Sequence, residues 1–247
     1  MTTTSEPTSL SDAALGQVLG LAHERAIDGI RVPDLASAAG YSPFHFSRMF
    51  AASVGIPPGQ YLTALRMDAA KRLLLNNEHA VIDIATAVGF GSLSSFSRRF
   101  RACVGIAPGQ LRKLADRVAD HPARPFRLVD EDAPSVEVTP VLPEGMADAT
   151  LWVGWYASPM PIGLPASGVY TDDLGPLRLP LNPQACWLLG FAVPNGADVA
   201  DQLVPTHPVV ARLPLPVHEP TRVELHFERS RGHAMPMLSA LPSLCRR

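Results

Sequence analysis

The sequence predicts a multidomain chain, all-α in its first half and a small all-β sandwich in its second, and three observations carry that prediction. First, Leu35-Ala-Ser-Ala-Ala-Gly-Tyr41 recurs as Ile84-Ala-Thr-Ala-Val-Gly-Phe90 at an offset of 49. The stretch Phe46-Ser-Arg-Met-Phe-Ala-Ala-Ser-Val-Gly-Ile-Pro-Pro-Gly-Gln60 recurs as Phe96-Ser-Arg-Arg-Phe-Arg-Ala-Cys-Val-Gly-Ile-Ala-Pro-Gly-Gln110 at an offset of 50, with 11 of 15 positions identical. Self-similarity of this kind marks two copies of one structural unit. Second, residues 1–120 hold 6 of the 25 prolines and residues 121–247 hold 19, so long helices suit only the first half. Third, beyond Ala123 the chain turns to short apolar or alternating runs separated by turn residues. The expected boundaries are a helical domain over 8–118, a linker over 119–133 and a sandwich over 134–247.

In each copy a short helix should turn Leu35 and Ala39, or Ile84 and Val88, inward and stop at Gly40 or Gly89, residues suited to a left-handed helix end. Ala36, Ala38, Ala85 and Ala87 keep that helix narrow enough for a close crossing. A second helix follows, capped by Ser42 ahead of Pro43 in the first copy and by Ser92 in the second. The one-residue change of offset falls in this turn, where either flank absorbs it, and the result is a pair of helix-turn-helix units. Phe46 and Phe50, like Phe96 and Phe100, stand four apart and should anchor the second helix to the core until Gly55 and Gly105 end it. Between the copies, Leu62, Leu65, Ala69 and Leu73 recur at helical spacing, which predicts one connecting helix from Pro57 to about Asn76. At 1.5 Å per residue it runs roughly 30 Å.

Strands are expected at Ser135–Thr139, Thr150–Tyr156, Gly168–Thr171, Ala185–Val193, Val209–Leu213 and Arg222–Phe227. Arg222–Phe227 alternates as a strand with one wet face does, whereas Trp187–Val193 is nearly continuous and suits the middle of a sheet. Six or seven strands in this length favour a sandwich.

Charge divides along the same line: residues 1–120 carry 12 basic and 10 acidic side chains, residues 121–247 carry 9 and 13. Within Tyr41–Val118 the balance is 10 basic to 4 acidic, a local excess able to attract phosphates. Cys103, Cys186 and Cys245 form no C-x-x-C pair and no even framework, which argues against a disulfide scaffold or structural zinc. The opening MTTTSEPTSL lacks a signal peptide's basic start and apolar stretch, and no run of about 20 apolar residues offers a membrane span. A cytoplasmic location, no membrane partner and no cofactor are expected.

The paired units, the G-[YF] turns, the F-S-R-x-F helices, the V-G-I-x-P-G-Q endings and the connector Arg66-Met-Asp-Ala-Ala-Lys-Arg-Leu-Leu-Leu75 resemble the AraC/XylS DNA-binding domain over about Leu10–Val118. That resemblance implies a sequence-specific transcriptional regulator whose two second helices enter the major groove of double-stranded DNA. It nominates Pro43, Phe44, Ser47 and Arg48 in the first copy, and Ser92, Leu93, Ser94, Ser97 and Arg98 in the second, as base-contacting residues. Arg48 and Arg98 follow the buried phenylalanines by two positions, where a guanidinium can bond guanine O6 and N7; a phosphate contact or a surface ion pair is the alternative. Phe44 and Leu93 suit a thymine methyl, and His45 is expected to face solvent. Phosphate contacts fall to Arg66, Lys71, Arg72, Arg99, Arg101, Arg112 and Lys113, with Arg99 and Arg101 the strongest pair because the first copy has Met49 and Ala51 there. RNA polymerase is an implied partner if the chain activates transcription, and a homodimer is compatible with the arrangement.

In the second half, Gly175–Phe191 is similar to transthyretin-like and carboxypeptidase-regulatory-like sandwiches. His207, His218, His226 and His233 lack metal-ligand spacing, and Asp172-Asp173 reads as a solvated turn, so neither a metal site nor a catalytic residue is expected. Trp152, Trp155, Tyr156 and Trp187 are either core or the lining of a small-molecule pocket. The domain is expected to modulate the reader through a small-molecule effector or a partner. The competing reading is a DNA-tethered enzyme with its activity in the second half, although no activated cysteine, nucleotide-binding glycine loop or triad is present.

Overall fold

The computed structural model describes residues 9–76, 79–120, 123–129, 133–229 and 236–244. The first half is helical: α1 (Asp12–Arg25), α2 (Val32–Ala38), α3 (Pro43–Val54), α4 (Pro58–Asn76), α5 (Val81–Ala87), α6 (Leu93–Val104) and α7 (Pro108–Asp120). The second half supplies β1 (Phe126–Leu128), β2 (Ser135–Val141), β3 (Ala149–Tyr156), β4 (Ser167–Thr171), β5 (Leu177–Pro180), β6 (Trp187–Pro194), the one-turn α8 (Val199–Leu203), β7 (Val209–Arg212), β8 (Arg222–His226), β9 (Glu228–Arg229) and a final 3-10 turn at Leu241–Leu244. No helix among the described residues is long and apolar enough to cross a membrane.

The two units are built alike because the same chemistry recurs in each. Ser42 and Ser92 accept from the amides of His45 and Ser95, at 3.4 and 3.3 Å, and so start α3 and α6. Gly55 and Gly105, at φ of 87° and 94°, end them with amides bonded back to Ala51 and Arg101. Phe46 and Phe50 stack at 5.5 Å between centroids, as do Phe96 and Phe100, and all four are fully buried. Helix α4 joins the units as the expected connector, 19 residues long and so about 28 Å from end to end.

The strands form two sheets. One has six strands in the order β1-β4-β3-β6-β7-β9, antiparallel throughout; the other has three, β5-β2-β8, with β2 and β8 parallel. Val136, Val138, Leu151, Val153, Trp155 and Leu225 are buried in the core that the sheets share. The near-continuous apolar run forms β6, interior to its sheet as expected. Phe126–Leu128 lies in the stretch expected to be linker, yet pairs with β4, with Arg127 opposite Val169. Leu177–Pro180 forms β5 and pairs with β2. Both segments are too short and too close to proline to declare a period of their own, and partner strands define them.

On its other face the large sheet turns toward the helices. Trp152 lies across Gly154 and Gly168, which are paired in the β3–β4 register; a Cβ on either would stand 2.5 Å from the indole. Met237 and Leu241 pack on that face beside Trp152, while Leu238 and Ala240 of the same segment enter the helical core with Met160, Leu203 and Val204. Main-chain bonds close the seam: Gly163 N donates to Cys103 O (2.6 Å) and Ala240 N to Val104 O (3.0 Å). Leu164 packs against Gly105.

Lys71 of α4 is fully buried at this seam and donates to the Met237 carbonyl at 2.7 Å. Burial pushes its ammonium down to about 8; Asp68 opposes the shift and Arg72 adds to it. Because the folded protein releases this proton before the unfolded chain does, the unfolded state binds more protons from about pH 8 up to the ordinary lysine range, and stability should rise with pH across that window. Denaturant unfolding at about pH 7.5 and about pH 9.5 is expected to show wild type gaining roughly 1–2 kcal/mol relative to Lys71→Met, which has no proton to lose there.

Candidate nucleic-acid interface

Helices α3 and α6 turn equivalent ridges outward. With the phenylalanine stripe buried, helical geometry sets Phe44, Arg48 and Ala51 along the outer side of α3, and Ser94, Arg98 and Arg101 along that of α6. Phe44 is 81 % exposed and Leu93 41 %, large values for apolar side chains. Arg48, Arg98, Pro43, Ser92 and Ser94 are exposed, and Ser47 and Ser97 half-buried, with the sheet domain in place. The sheet domain meets the opposite ends of these helices, at Gly55 and Gly105, and leaves the ridges open.

Several nominated side chains have work inside the fold. Ser92 is the cap of α6 and lies 3.5 Å from Ser94 Oγ. Ser47 Oγ donates to the Pro43 carbonyl one turn back, at 2.7 Å. His45 does not face solvent: it is half-buried and edge-on to Tyr41, 5.3 Å between centroids, with Nε2 buried and without a hydrogen-bond partner among the described residues.

Among the cations nominated for phosphate, four are turned inward. Arg66 donates from Nε to Ala26 O and from Nη2 to Ile30 O, both at 2.8 Å, and its burial lowers the guanidinium's pKa. The phosphate assignment of Lys71 is corrected outright, since the side chain has no exposed surface. Arg72 pairs with Asp68 at 3.0 Å and donates to the carbonyls of Val204 and Pro205. Arg112 donates to Leu74 O and His79 O, satisfying the end of α4. Arg99, Arg101 and Lys113 are exposed. The outward charge is thus concentrated on α6.

Among the aromatic candidates of the second half, Trp152 and Tyr156 border a cleft between the sheet and the helices. Trp155 is core, its Nε1 donating to Pro180 O at 2.8 Å, and Trp187 is half-buried away from the cleft. Asp173 accepts from Gly175 N in the expected turn. His207, His218 and His226 are exposed, His226 beside Glu224 at 3.2 Å, and His233 lies outside the described residues. Among the described residues no cluster of His, Cys, Asp or Glu could hold a metal. Arg212 and Arg229, which also border the cleft, carried no signal in the sequence because each is a single charge on a short strand.

Residues 35–114 match a family described as a helix-turn-helix domain. Over 89 residues the chain is 42 % identical to an HTH-type transcriptional regulator of Mycobacterium tuberculosis, covering 36 % of this chain and 34 % of that protein. It is 32 % identical over 89 residues to the HTH-type transcriptional activator AarP of Providencia stuartii, covering 36 % and 66 %. The chain therefore spans about a third of the first relative's length and just under two thirds of the second's. Among solved structures it is similar to an AraC-type regulator from Chromobacterium violaceum (27 % identity, 41 % of this chain and 90 % of that one, TM-score 0.39). It is also similar to the DNA-binding domain of AdpA in complex with a target DNA (31 %, 44 % and 96 %, TM-score 0.40).

Two substitutions separate structural from exposed arginines. Arg66→Ala should cost about 1–3 kcal/mol in thermal or denaturant unfolding, because it strands the Ala26 and Ile30 carbonyls, whereas Arg98→Ala should change stability by no more than about 0.5 kcal/mol.

Proposed function

We propose that the chain, whose residues 35–114 match a helix-turn-helix domain family, is an AraC-type, sequence-specific transcriptional regulator that reads double-stranded DNA with α3 and α6 in successive major grooves. The observation that carries this reading is the pair of equivalent ridges, exposed at Phe44 and Arg48 and at Ser94, Arg98 and Arg101, over a fully buried phenylalanine stripe. Arg48 and Arg98 read guanine edges; Phe44 and Leu93 touch thymine methyls, with Pro43, Ser47, Ser94 and Ser97 against neighbouring bases. Ser92 keeps its place at the groove as a cap, its amide and hydroxyl at a helix end suited to phosphate. Arg99, Arg101 and Lys113 supply the phosphate contacts. Connector α4, about 28 Å long, is close to the roughly 34 Å that separates major-groove faces one turn apart on one side of the duplex.

The units are unequal on this reading. Helix α6 carries three exposed arginines, Arg98, Arg99 and Arg101, where α3 carries Arg48 with Met49 and Ala51, so the second unit contributes more of the salt-dependent affinity.

Genome-wide footprinting at fixed salt tests the reading: wild type should occupy discrete sites that Arg48→Ala/Arg98→Ala loses or relaxes. A wild type without discrete sites would refute it. On a site so found, Arg99→Ala/Arg101→Ala should weaken binding uniformly across sequences and make the slope of log affinity against log salt shallower by about 2; an unchanged slope would remove those side chains from the phosphate set.

A further inference from the structure

Between the outer face of the six-stranded sheet and the first helix-turn-helix unit lies a cleft of about 1030 Å³. Leu19 of α1 and Val54 at the end of α3 border it on one side, and Trp152, Phe191 and Val210 on the other. The cleft is open to solvent along one side, and its volume is at the upper end of the range typical of small-molecule sites, about 300–1,000 Å³.

The polar groups at the cleft are few. Arg212 donates from Nη1 to Pro159 O at 3.4 Å and Arg229 from Nη2 to Glu144 O at 3.3 Å, both long contacts to main chain. Among the described residues no carboxylate pairs with either guanidinium. Glu228 also borders the cleft, and His226 is engaged with Glu224, so two cations face one carboxylate at the rim of an apolar space. A guanidinium in this setting bonds an anionic group more strongly than it does a neutral carbonyl.

We propose that this cleft is a ligand site for a mainly apolar molecule bearing one anionic group, the apolar body between Leu19, Val54, Phe191 and Val210 and the anion on Arg212. The second unit is bonded to the sheet domain at Cys103 O and Val104 O, whereas the first unit meets that domain across the cleft. Occupancy therefore braces the first unit against a frame that already holds the second. Calling the ligand an effector rests on the regulator reading above; binding itself does not.

The test uses the full chain, without DNA, and two fluorescent probes of one scaffold: 8-anilinonaphthalene-1-sulfonate, an anion, and N-phenyl-1-naphthylamine, its neutral counterpart. Wild type should bind the sulfonate saturably at one site. Arg212→Gln should weaken the sulfonate by about tenfold or more and leave the neutral amine unchanged. Val210→Trp, which fills the cleft from the sheet side, should abolish both with circular dichroism and melting temperature retained; Leu19→Trp does the same from the helical side if the first variant does not fold. Absence of saturable sulfonate binding to folded wild type, equal binding by the filled variants, or equal loss of both probes in Arg212→Gln would overturn the proposal. Failure here leaves the footprinting result intact, and a chain that binds probe without discrete DNA sites would overturn only the regulator reading.

Discussion

A lysine ammonium with no exposed surface sets the terms on which the two halves of this molecule meet. Removing such a charge from water costs several kcal/mol even after relaxation, and Lys71 is tolerated because the Met237 carbonyl accepts from it at 2.7 Å and Asp68 stands one turn away on the same helix. The first condition requires residues 237–241 to lie against α4. Once they do, Leu238 and Ala240 fall into the helical core and Ala240 N reaches the Val104 carbonyl, one of the acceptors that the end of α6 leaves without a helical partner. A chain segment far from the helices in sequence thereby becomes part of how α6 is terminated.

The same segment is bound from its other side by the sheet. Met237 and Leu241 pack with Trp152, Tyr170 and Phe191, which is possible because Trp152 lies flat over two paired glycines instead of standing off the sheet. Alternate residues of one extended stretch thus belong to different cores, Met237 and Leu241 to the sheet's outer cluster, Leu238 and Ala240 to the helical one. Shearing the domains apart exposes both apolar sets at once and breaks the Lys71–Met237 bond, so these contacts are lost together.

What was legible in the sequence follows from the range over which each signal acts. Caps, phenylalanine stripes, left-handed glycines and the connector are local, and the repeat displays each of them twice; Ser42 and Ser92, Gly55 and Gly105 take the predicted roles. The longer strands announced themselves by period or composition, while Phe126–Leu128 and Leu177–Pro180 are strands only because β4 and β2 offer partners. Cations were the least legible. Arg66, Lys71, Arg72 and Arg112 look in sequence like a solvated basic face, and each is instead bonded to carbonyls 33 to 166 residues away. Nothing within a window of one or two helical turns distinguishes such a lysine from one that waits for phosphate. The cleft was half legible, since Trp152 and Tyr156 were candidates, but its cations come from strands whose neighbours only the fold assembles.

The seam also treats the two units differently, and this bears on how a reader of this build can be adjusted. Main-chain bonds at Cys103 and Val104 and the Leu164 contact hold the end of α6 to the sheet domain. At the equivalent end of α3, Gly55 is met by the side chains of Pro159 and Arg212 at ordinary van der Waals range, 3.6 and 3.7 Å from where a Cβ would stand. Side-chain contacts across a cleft yield more easily than paired amides and carbonyls, because no buried donor or acceptor is left behind when they part. The unit with the denser positive charge is therefore the one bonded through main chain to the sheet domain, and the unit with the apolar Phe44 at its tip is, on the ligand-site proposal, the one the cleft adjusts. On the proposed reading, affinity for the phosphate backbone and adjustability reside in different halves of the repeat. The reader's hold on DNA and its choice of site can then be varied independently, although the two units descend from one pattern of residues.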